Sequence, residues 1–431
     1  MAGVTYYSLA VTGLTDRLIA LARIGRVINS SLVLDEVLDL VIDSLIEVTG
    51  AERGAILLIE PDSGELRVRA ARNLGGQLPE ALLFETSRNI VREVAESGVP
   101  RFIRDASHDT TYQALESVLA QNLRSILCAP LKVRDQIRGV LYVDNRWVAG
   151  AFAAEDLELL IAFADQAAVA IDNARLYEEL AQRERMRQQL EIARSIQASL
   201  MPRHLPALPG FKLAAACLPA QAVGGDFYDA ILSADGRVVM FLGDVSGKGV
   251  PAALLMGMVR TLLRAEVQRS TSLVDSVLHC NRVLYEDFTN TNMFATLLIG
   301  TLDPVARTFT YLNCGHCEPL LWRSAGHVEH LSGDGLPLGI LEEFETTERT
   351  VILNPRDVLV VYSDGFSEAK SSAGELFGIP RLKRALAQSP VASAEGVLSH
   401  LEASVSRFVK EEPQSDDQTM IVLRVTDPLD G

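Results

Sequence analysis

The sequence predicts an α+β chain: an N-terminal α/β sandwich, a long helical linker, and a C-terminal β-sandwich flanked by helices. Three observations predict it. A helix–strands–helix alternation fills residues 14–177, a run without Pro or Gly extends from Asp156 to Leu200, and a strand-rich stretch begins after Gly210. At 431 residues the chain is long enough for two or three domains with cores of their own.

In the first unit, Leu34, Val37, Leu38, Val41, Ile42, Leu45 and Ile46 recur at helical spacing. Arg53 to Ile59 reads as a strand, Pro61-Asp62-Ser63-Gly64 as a turn, and Glu65 to Ala70 as a second strand. Ser125 to Leu131 and Ile137 to Asp144 read as a hairpin of core strands, and a helix from Ala154 to about Tyr177 closes the unit. This pattern, with Arg124-Ser-Ile-Leu-Cys-Ala-Pro-Leu131, Gly139-Val-Leu-Tyr-Val-Asp-Asn145 and Ala174-Arg-Leu-Tyr177, resembles a GAF domain. GAF relatives often bind cyclic nucleotides, tetrapyrroles, haem or small metabolites. Phe152 and Asp156 match part of a cyclic-nucleotide signature, yet Leu157 stands where an acidic residue is expected. Cys128, inside an apolar strand, reads as a small core residue. A sensor and a ligand-free dimerisation module both stay open, and the ligand is unknown.

The linker, residues 178–202, is rich in Ala, Glu, Gln, Arg and Leu, all strong helix formers. Met186, Ala193 and Leu200 follow a heptad, with Ile196 at a second core position and Arg183, Glu184, Arg185 and Arg187 on the flanks. A parallel coiled coil would make the chain a homodimer through its first domain and linker; the alternative is a solvated connector helix. Pro202, Pro206 and Pro209 end the helix.

The third segment, residues 203–427, alternates strands with a few helices. Phe211–Cys217, Asp226–Leu232 and Arg237–Asp244 read as strands, Ala252–Val267 and Leu273 to about Asp287 as helices. Ala295–Leu302, Thr308–Cys314, Pro319–Trp322, Thr347–Leu353, Val358–Ser363 and Thr419–Val425 read as further strands. Acidic clusters fall at the strand ends: Asp226 and Asp229, Asp244, Asp364, and Asp416 with Asp417. A carboxylate inside an apolar stretch is costly unless its charge is compensated. No comparable set of Lys or Arg stands beside these residues, so hard divalent cations, which choose oxygen ligands, are the natural partners. A cation pair sharing a bridging carboxylate would activate a water and neutralise a phosphoryl group. Taken singly, each Asp is better explained by turn chemistry.

Composition narrows the classes. Hydrophobic residues make up 48% and charged residues 22%, ordinary globular usage. A formal charge of −16 argues against nucleic acid and anionic membranes as partners. No apolar run of about 18 residues exists, and Met1 to Leu14 lacks the basic start of a signal peptide. Five scattered cysteines favour a reducing, cytoplasmic setting. Cys314 and Cys317 form a C-x-x-C without a second pair, so it reads as structural.

Together, Gly224-Gly-Asp-Phe-Tyr-Asp229, Gly243-Asp-Val-Ser-Gly-Lys-Gly-Val-Pro-Ala-Ala253, Asn313-Cys-Gly-His316, Tyr362-Ser-Asp-Gly365 and Asp416-Asp-Gln-Thr419 resemble the SpoIIE-type branch of the PPM metal-dependent serine/threonine protein phosphatases. Glu191 to Pro202 is similar to that family's linker. The resemblance implies a PPM β-sandwich, Mn²⁺ or Mg²⁺ as a pair of divalent cations, and hydrolysis of a phospho-Ser/Thr protein by metal-activated water. It implies that Asp244 bridges the metals with the Val245 carbonyl as a further ligand. Asp364 and Asp416 would complete one site and Asp226 would serve the other, directly or through water. Asp244, Asp364 and Asp416 are thus the catalytic candidates; Asp229 and Asp417 are supporting ones. Ser246 occupies the neighbourhood where many relatives carry a general-acid His, leaving leaving-group protonation unassigned, and His316 reads as a structural hydrogen-bonding group. The implied substrate is a phosphorylated STAS-type anti-sigma-factor antagonist. The helix opened by Pro251 follows Asp244 directly, so its position would couple metal binding to the N-terminal domain.

Two decoys fail on spacing. Gly224-Gly-Asp-Phe227 lacks the acidic fourth residue of a diguanylate cyclase. Gly243 to Gly249 has one residue too few for a P-loop and Gly249 where that motif needs Ser or Thr. The remaining alternative is a non-catalytic scaffold that binds a phosphoprotein.

Overall fold

A computed structural model describes residues 25, 31–60, 63–73, 88–105, 125–233, 235–270, 272–390 and 392–426. The chain divides into two units, Met1–Arg185 and Met186–Gly431. Part of the N-terminal segment assigned to the first domain, residues 14–24 and 26–30, lies outside the described residues.

The first unit begins with α1 (Leu34–Thr49), which buries Leu34, Val37, Leu38, Val41, Ile42 and Leu45 along one face. Gly50 ends it in the left-handed conformation, donating its N–H to Ile46 O. Then come β1 (Arg53–Ile59), β2 (Leu66–Arg72), α2 (Arg88–Ser97), β3 (Arg101–Ile103), β4 (Ser125–Val133) and β5 (Gln136–Asn145). They form an antiparallel sheet in the order β2-β1-β5-β4-β3. Both faces are covered, which is why β1, β4 and β5 read as continuous apolar runs. One face packs with α1 and the N-terminal half of α3 (Ala154–Leu200), the other with α2. Arg53 and Asp144 form a buried bidentate pair at 2.7 and 2.6 Å, and the Tyr142 hydroxyl donates to the same carboxylate. α2 and β3 escaped the sequence reading because each is short.

The first turn of α3 carries Asp156, whose carboxylate accepts the Ala153 N–H. Of its expected heptad positions, Met186 and Ile196 are exposed in the single chain. No helix among the described residues is long and apolar enough to cross a membrane.

The second unit contains two antiparallel sheets. One is built from β7 (Asp226–Leu232), β8 (Val238–Val245), β9 (Ala295–Asp303), β10 (Thr308–Cys314) and β13 (Arg349–Ile352), in the order β13-β10-β9-β8-β7. The other has the order β12-β11-β14-β15-β6, from β6 (Phe211–Leu218), β11 (Leu320–Trp322), β12 (Val328–His330), β14 (Val358–Tyr362) and β15 (Gln418–Val425). The inner faces meet in a core that includes Met240, Leu242, Leu298, Phe309, Leu359, Val361, Ile421 and Leu423. Helices α4 (Val250–Arg269) and α5 (Leu273–Thr291) cover the first sheet. The short α6 (Asp364–Ser367), α7 (Gly378–Ala387) and α8 (Ala394–Val409) lie with the second. The predicted helix-flanked sandwich is therefore present; α7 and α8, unforeseen, supply the layer that the outer face of the second sheet requires.

Candidate metal centre

Strand pairing brings the first two carboxylates together. Asp226 on β7 lies directly opposite Asp244 on β8, and Asp244 is opposite Thr296 on β9. Like charges directly opposite one another destabilise a sheet unless something offsets them. Asp226 is buried with no partner for Oδ2; Asp244 is partly exposed. Burial, followed by the Asp244 charge, raises the Asp226 carboxyl well above the usual carboxylate range, while the Ser363 and Thr419 hydroxyls pull the other way. Burial, then the fields of Asp364, Asp416 and Asp417, pushes Asp244 up to about 7.

The second sheet supplies the others. β14 ends at Tyr362, and Asp364 opens α6 rather than ending a strand as the sequence suggested. Its carboxyl is raised by burial and by Asp416 and Glu368, with Lys248 and the Gly365 N–H acting against them. Asp416 lies in the loop before β15, which Gln414 steadies by donating from Nε2 to Leu218 O and Asp416 O. Asp416 Oδ2 is 3.0 Å from Lys248 Nζ. Among the described residues no three carboxylate, thiol or imidazole groups stand close enough to enclose one ion. The convergence seen is pairwise, and electrostatic across the group.

The donor set nevertheless fits a hard divalent cation on three observations. Every candidate donor is oxygen. Asp226 Oδ2 is a buried acceptor without a partner. The Val245 carbonyl approaches Gly225 so closely that a Cβ there would sit 2.4 Å from Val245 O and 3.3 Å from Asp244 Oδ1. Glycine at 225 keeps that oxygen beside the carboxylate.

Asp417 and Asp229 separate from this group. Asp417 Oδ1 accepts the Ala220 N–H at 2.8 Å, and Oδ2 accepts those of Gly225 at 2.7 Å and Asp226 at 3.3 Å. It fixes the backbone that carries Asp226. A Cβ on Gly224 would lie 2.0 Å from Asp417 Oδ2, so that approach also requires glycine. Asp229 follows Asp226 at odd spacing and faces the helical layer, where Arg260 and Arg264 of α4 bond its Oδ2 at 2.6 and 2.7 Å. It anchors α4, which neither turn chemistry nor ligand support had implied.

His316 is buried, with Nδ1 2.7 Å from the Thr296 hydroxyl and its backbone N–H donated to Asn313 Oδ1. Burial holds its pKa down to about 4, so the ring is neutral at pH 7. Cys314 and Cys317 are free thiols, each pushed up to about 12 by burial first; Cys317 also feels Asp364, Asp244 and Asp226. The sequence reading missed Gln197 altogether. Its amide exchanges two hydrogen bonds with the Gly224 backbone, a contact that no local pattern announces.

Residues 234–426 match the family model for stage II sporulation protein E (SpoIIE), and residues 33–171 match that for the GAF domain. Protein IcfG of Synechocystis sp. is 32% identical over 263 residues, covering 55% of this chain and 41% of its own length. The phosphoserine phosphatase RsbU of Bacillus subtilis is 27% identical over 241 residues, 56% of this chain and 70% of that protein. The phosphoserine phosphatase RsbP of the same organism is 25% identical over 208 residues, 47% of this chain and 49% of that one. The chain thus spans less than half the length of IcfG and of RsbP. The solved SiaA-PP2C domain of Pseudomonas aeruginosa superposes with a TM-score of 0.51 at 22% identity, covering 57% of this chain and 98% of that domain. That likeness shows the fold.

Proposed function

We propose, for a chain that carries a GAF domain followed by a SpoIIE-family domain, that it is a metal-dependent protein serine/threonine phosphatase regulated by its N-terminal domain. The observation that carries this reading is the register pair Asp226–Asp244, like charges facing each other on adjacent strands with an unpartnered buried oxygen between the sheets. Such a pair is a liability in a scaffold and an asset where cations bind.

In this reading Asp244 and the Val245 carbonyl, with Asp226, Asp364 and Asp416, hold a pair of divalent cations, Mn²⁺ or Mg²⁺. When bound, these supply an activated water and neutralise the charge of a phosphoryl group. The chain's own residues do the positioning. Asp417 fixes the 224–226 backbone, Ser363 Oγ donates to Asp417 O, and Gln414 holds the Asp416 loop. Ser246, in the neighbourhood where many eukaryotic-type PPM phosphatases carry a His, accepts the Phe294 N–H through Oγ and is thereby engaged in holding its own loop. An acidic centre whose Asp416 is open to solvent suits a phosphate only once cations are present, so activity is expected to be strictly metal-dependent.

The substrate class in this reading is a phosphorylated Ser or Thr on a small regulatory protein, a STAS-type anti-sigma-factor antagonist; the likeness to two phosphoserine phosphatases supports the phosphoserine chemistry. We read residues 14–177 as the sensor, 178–202 as a coiled-coil linker in a homodimer, and 203–427 as the catalytic domain. Hydrolysis of p-nitrophenyl phosphate with Mn²⁺, abolished in both Asp244→Asn and Asp364→Asn, is the expected result. Failure of the wild type with every divalent metal tried would instead support the phosphoprotein-binding scaffold.

A further inference from the structure

We propose that Lys248 receives the phosphoryl oxygens of the substrate at the acidic centre; the proposal rests on the phosphatase reading and assigns that site a residue for the anion. In the sequence no comparable set of Lys or Arg stands beside the carboxylates, and Lys248 figures only as a member of the Gly243–Ala253 motif and of the P-loop decoy. The structure places it at the solvent edge of the centre. Nζ donates to Ser415 O at 2.5 Å and lies 3.0 Å from Asp416 Oδ2. Its side chain is 47% exposed and that of Asp416 40%, so the pair faces solvent rather than the interior.

The chemistry of an ammonium suits this position. It has three donors, of which the Ser415 carbonyl and the Asp416 carboxylate take two, leaving one for an incoming oxygen. Its field already acts on Asp364, against that of Asp416 and Glu368. Two divalent cations would formally balance the four carboxylates Asp226, Asp244, Asp364 and Asp416 and leave no net positive charge for a phosphate monoester, so a point charge beside them adds an attraction the centre otherwise lacks. Gly247 and Gly249, flanking it at φ +93° and +74°, carry no side chains that would crowd an approaching phosphate. The competing explanation is a tie, in which Lys248 merely fastens the segment after Asp244 to the loop before β15.

Lys248→Met and Lys248→Arg separate the two. The readouts are KM and kcat for p-nitrophenyl phosphate, inhibition by inorganic phosphate, Mn²⁺ affinity by calorimetry, and the thermal melt. Lys248→Met is expected to raise KM and the phosphate inhibition constant about tenfold while Mn²⁺ affinity and melting stay near wild type, and Lys248→Arg should recover most of the loss. Unchanged phosphate constants, or a loss that only parallels weakened Mn²⁺ binding or a lowered melt, would overturn the proposal. Should the wild type hydrolyse nothing, the phosphatase reading fails by itself. Calorimetric binding of inorganic phosphate to the Mn²⁺-loaded protein then judges Lys248: weakening in Lys248→Met upholds it, and absent or unchanged binding overturns it.

Discussion

Gln197, one turn from the end of α3, grips Gly224 by both amide groups: Nε2 donates to the Gly224 carbonyl at 2.7 Å, and the Gly224 N–H donates to Oε1 at 3.1 Å. Gly224 lies two residues before Asp226, and its neighbour Gly225 is held by Asp417 from the loop before β15. The end of the long helix and the loop before β15 therefore share one short backbone segment.

Gln197→Ala leaves a buried N–H and a buried carbonyl without partners, each costing about 1–3 kcal/mol. The expected outcome is a fall in kcat/KM of about tenfold or more, accompanied by weaker Mn²⁺ binding. Steady-state kinetics across a Mn²⁺ titration check this. Wild-type metal affinity together with wild-type turnover would show that the contact holds nothing of consequence.

Gly225→Ala tests the approach of the Val245 carbonyl. The new methyl group would meet a backbone oxygen at 2.4 Å, which a rigid sheet end cannot yield cheaply. Calorimetry should find Mn²⁺ affinity reduced at least tenfold in a protein whose far-ultraviolet spectrum is retained. Unaltered affinity would remove Val245 from the proposed ligand set.

Asp229→Ala strands the buried Arg260 guanidinium, and breaking a buried ion pair at one partner costs about 3–5 kcal/mol. Urea unfolding should report a loss of that order. Because Asp229 faces α4 and not the carboxylate cluster, the double replacement of Asp229 and Arg260 by apolar residues should restore much of the stability. A double variant as unstable as the single would refute the pairing account.

The pH dependence has a definite sign. Asp244, raised to about 7 from an unfolded value near 3.8, binds its proton more tightly in the folded state. Its contribution to stability is present at acid pH and is lost as pH rises through 7, with a slope approaching about 1.4 kcal/mol per pH unit. In a chelator the thermal midpoint should fall between pH 5 and pH 8. On the proposed reading Mn²⁺ binds the ionised carboxylates and should lift the midpoint most at the alkaline end. A midpoint that climbs with pH in chelator would contradict the assignment.

Regulation is tested by removing residues 1–185. If the first unit biases the centre through α3, the truncated protein should differ from the full chain in Mn²⁺ affinity or turnover, and identical values would dismiss the coupling. A concentration-dependent sedimentation profile that is monomeric at every micromolar loading would dismiss the dimer.

The sequence alone determined the fold class and nominated the candidate residues. Period-two and continuous apolar runs located β7, β8, β10 and β14 to within a residue or so, because buried strands leave their pattern in the chain itself. The acidic residues were visible as charges inside or beside those runs. Only the tertiary structure divided them. It set Asp226 opposite Asp244, turned Asp229 to the arginines of α4, gave Asp417 to three backbone N–H groups, and brought Lys248 to Asp416. These are pairings between segments as far apart as Lys248 and Ser415, governed by register and by which sheet face a side chain leaves. A linear pattern encodes the face of each strand, but not the partner that waits across it.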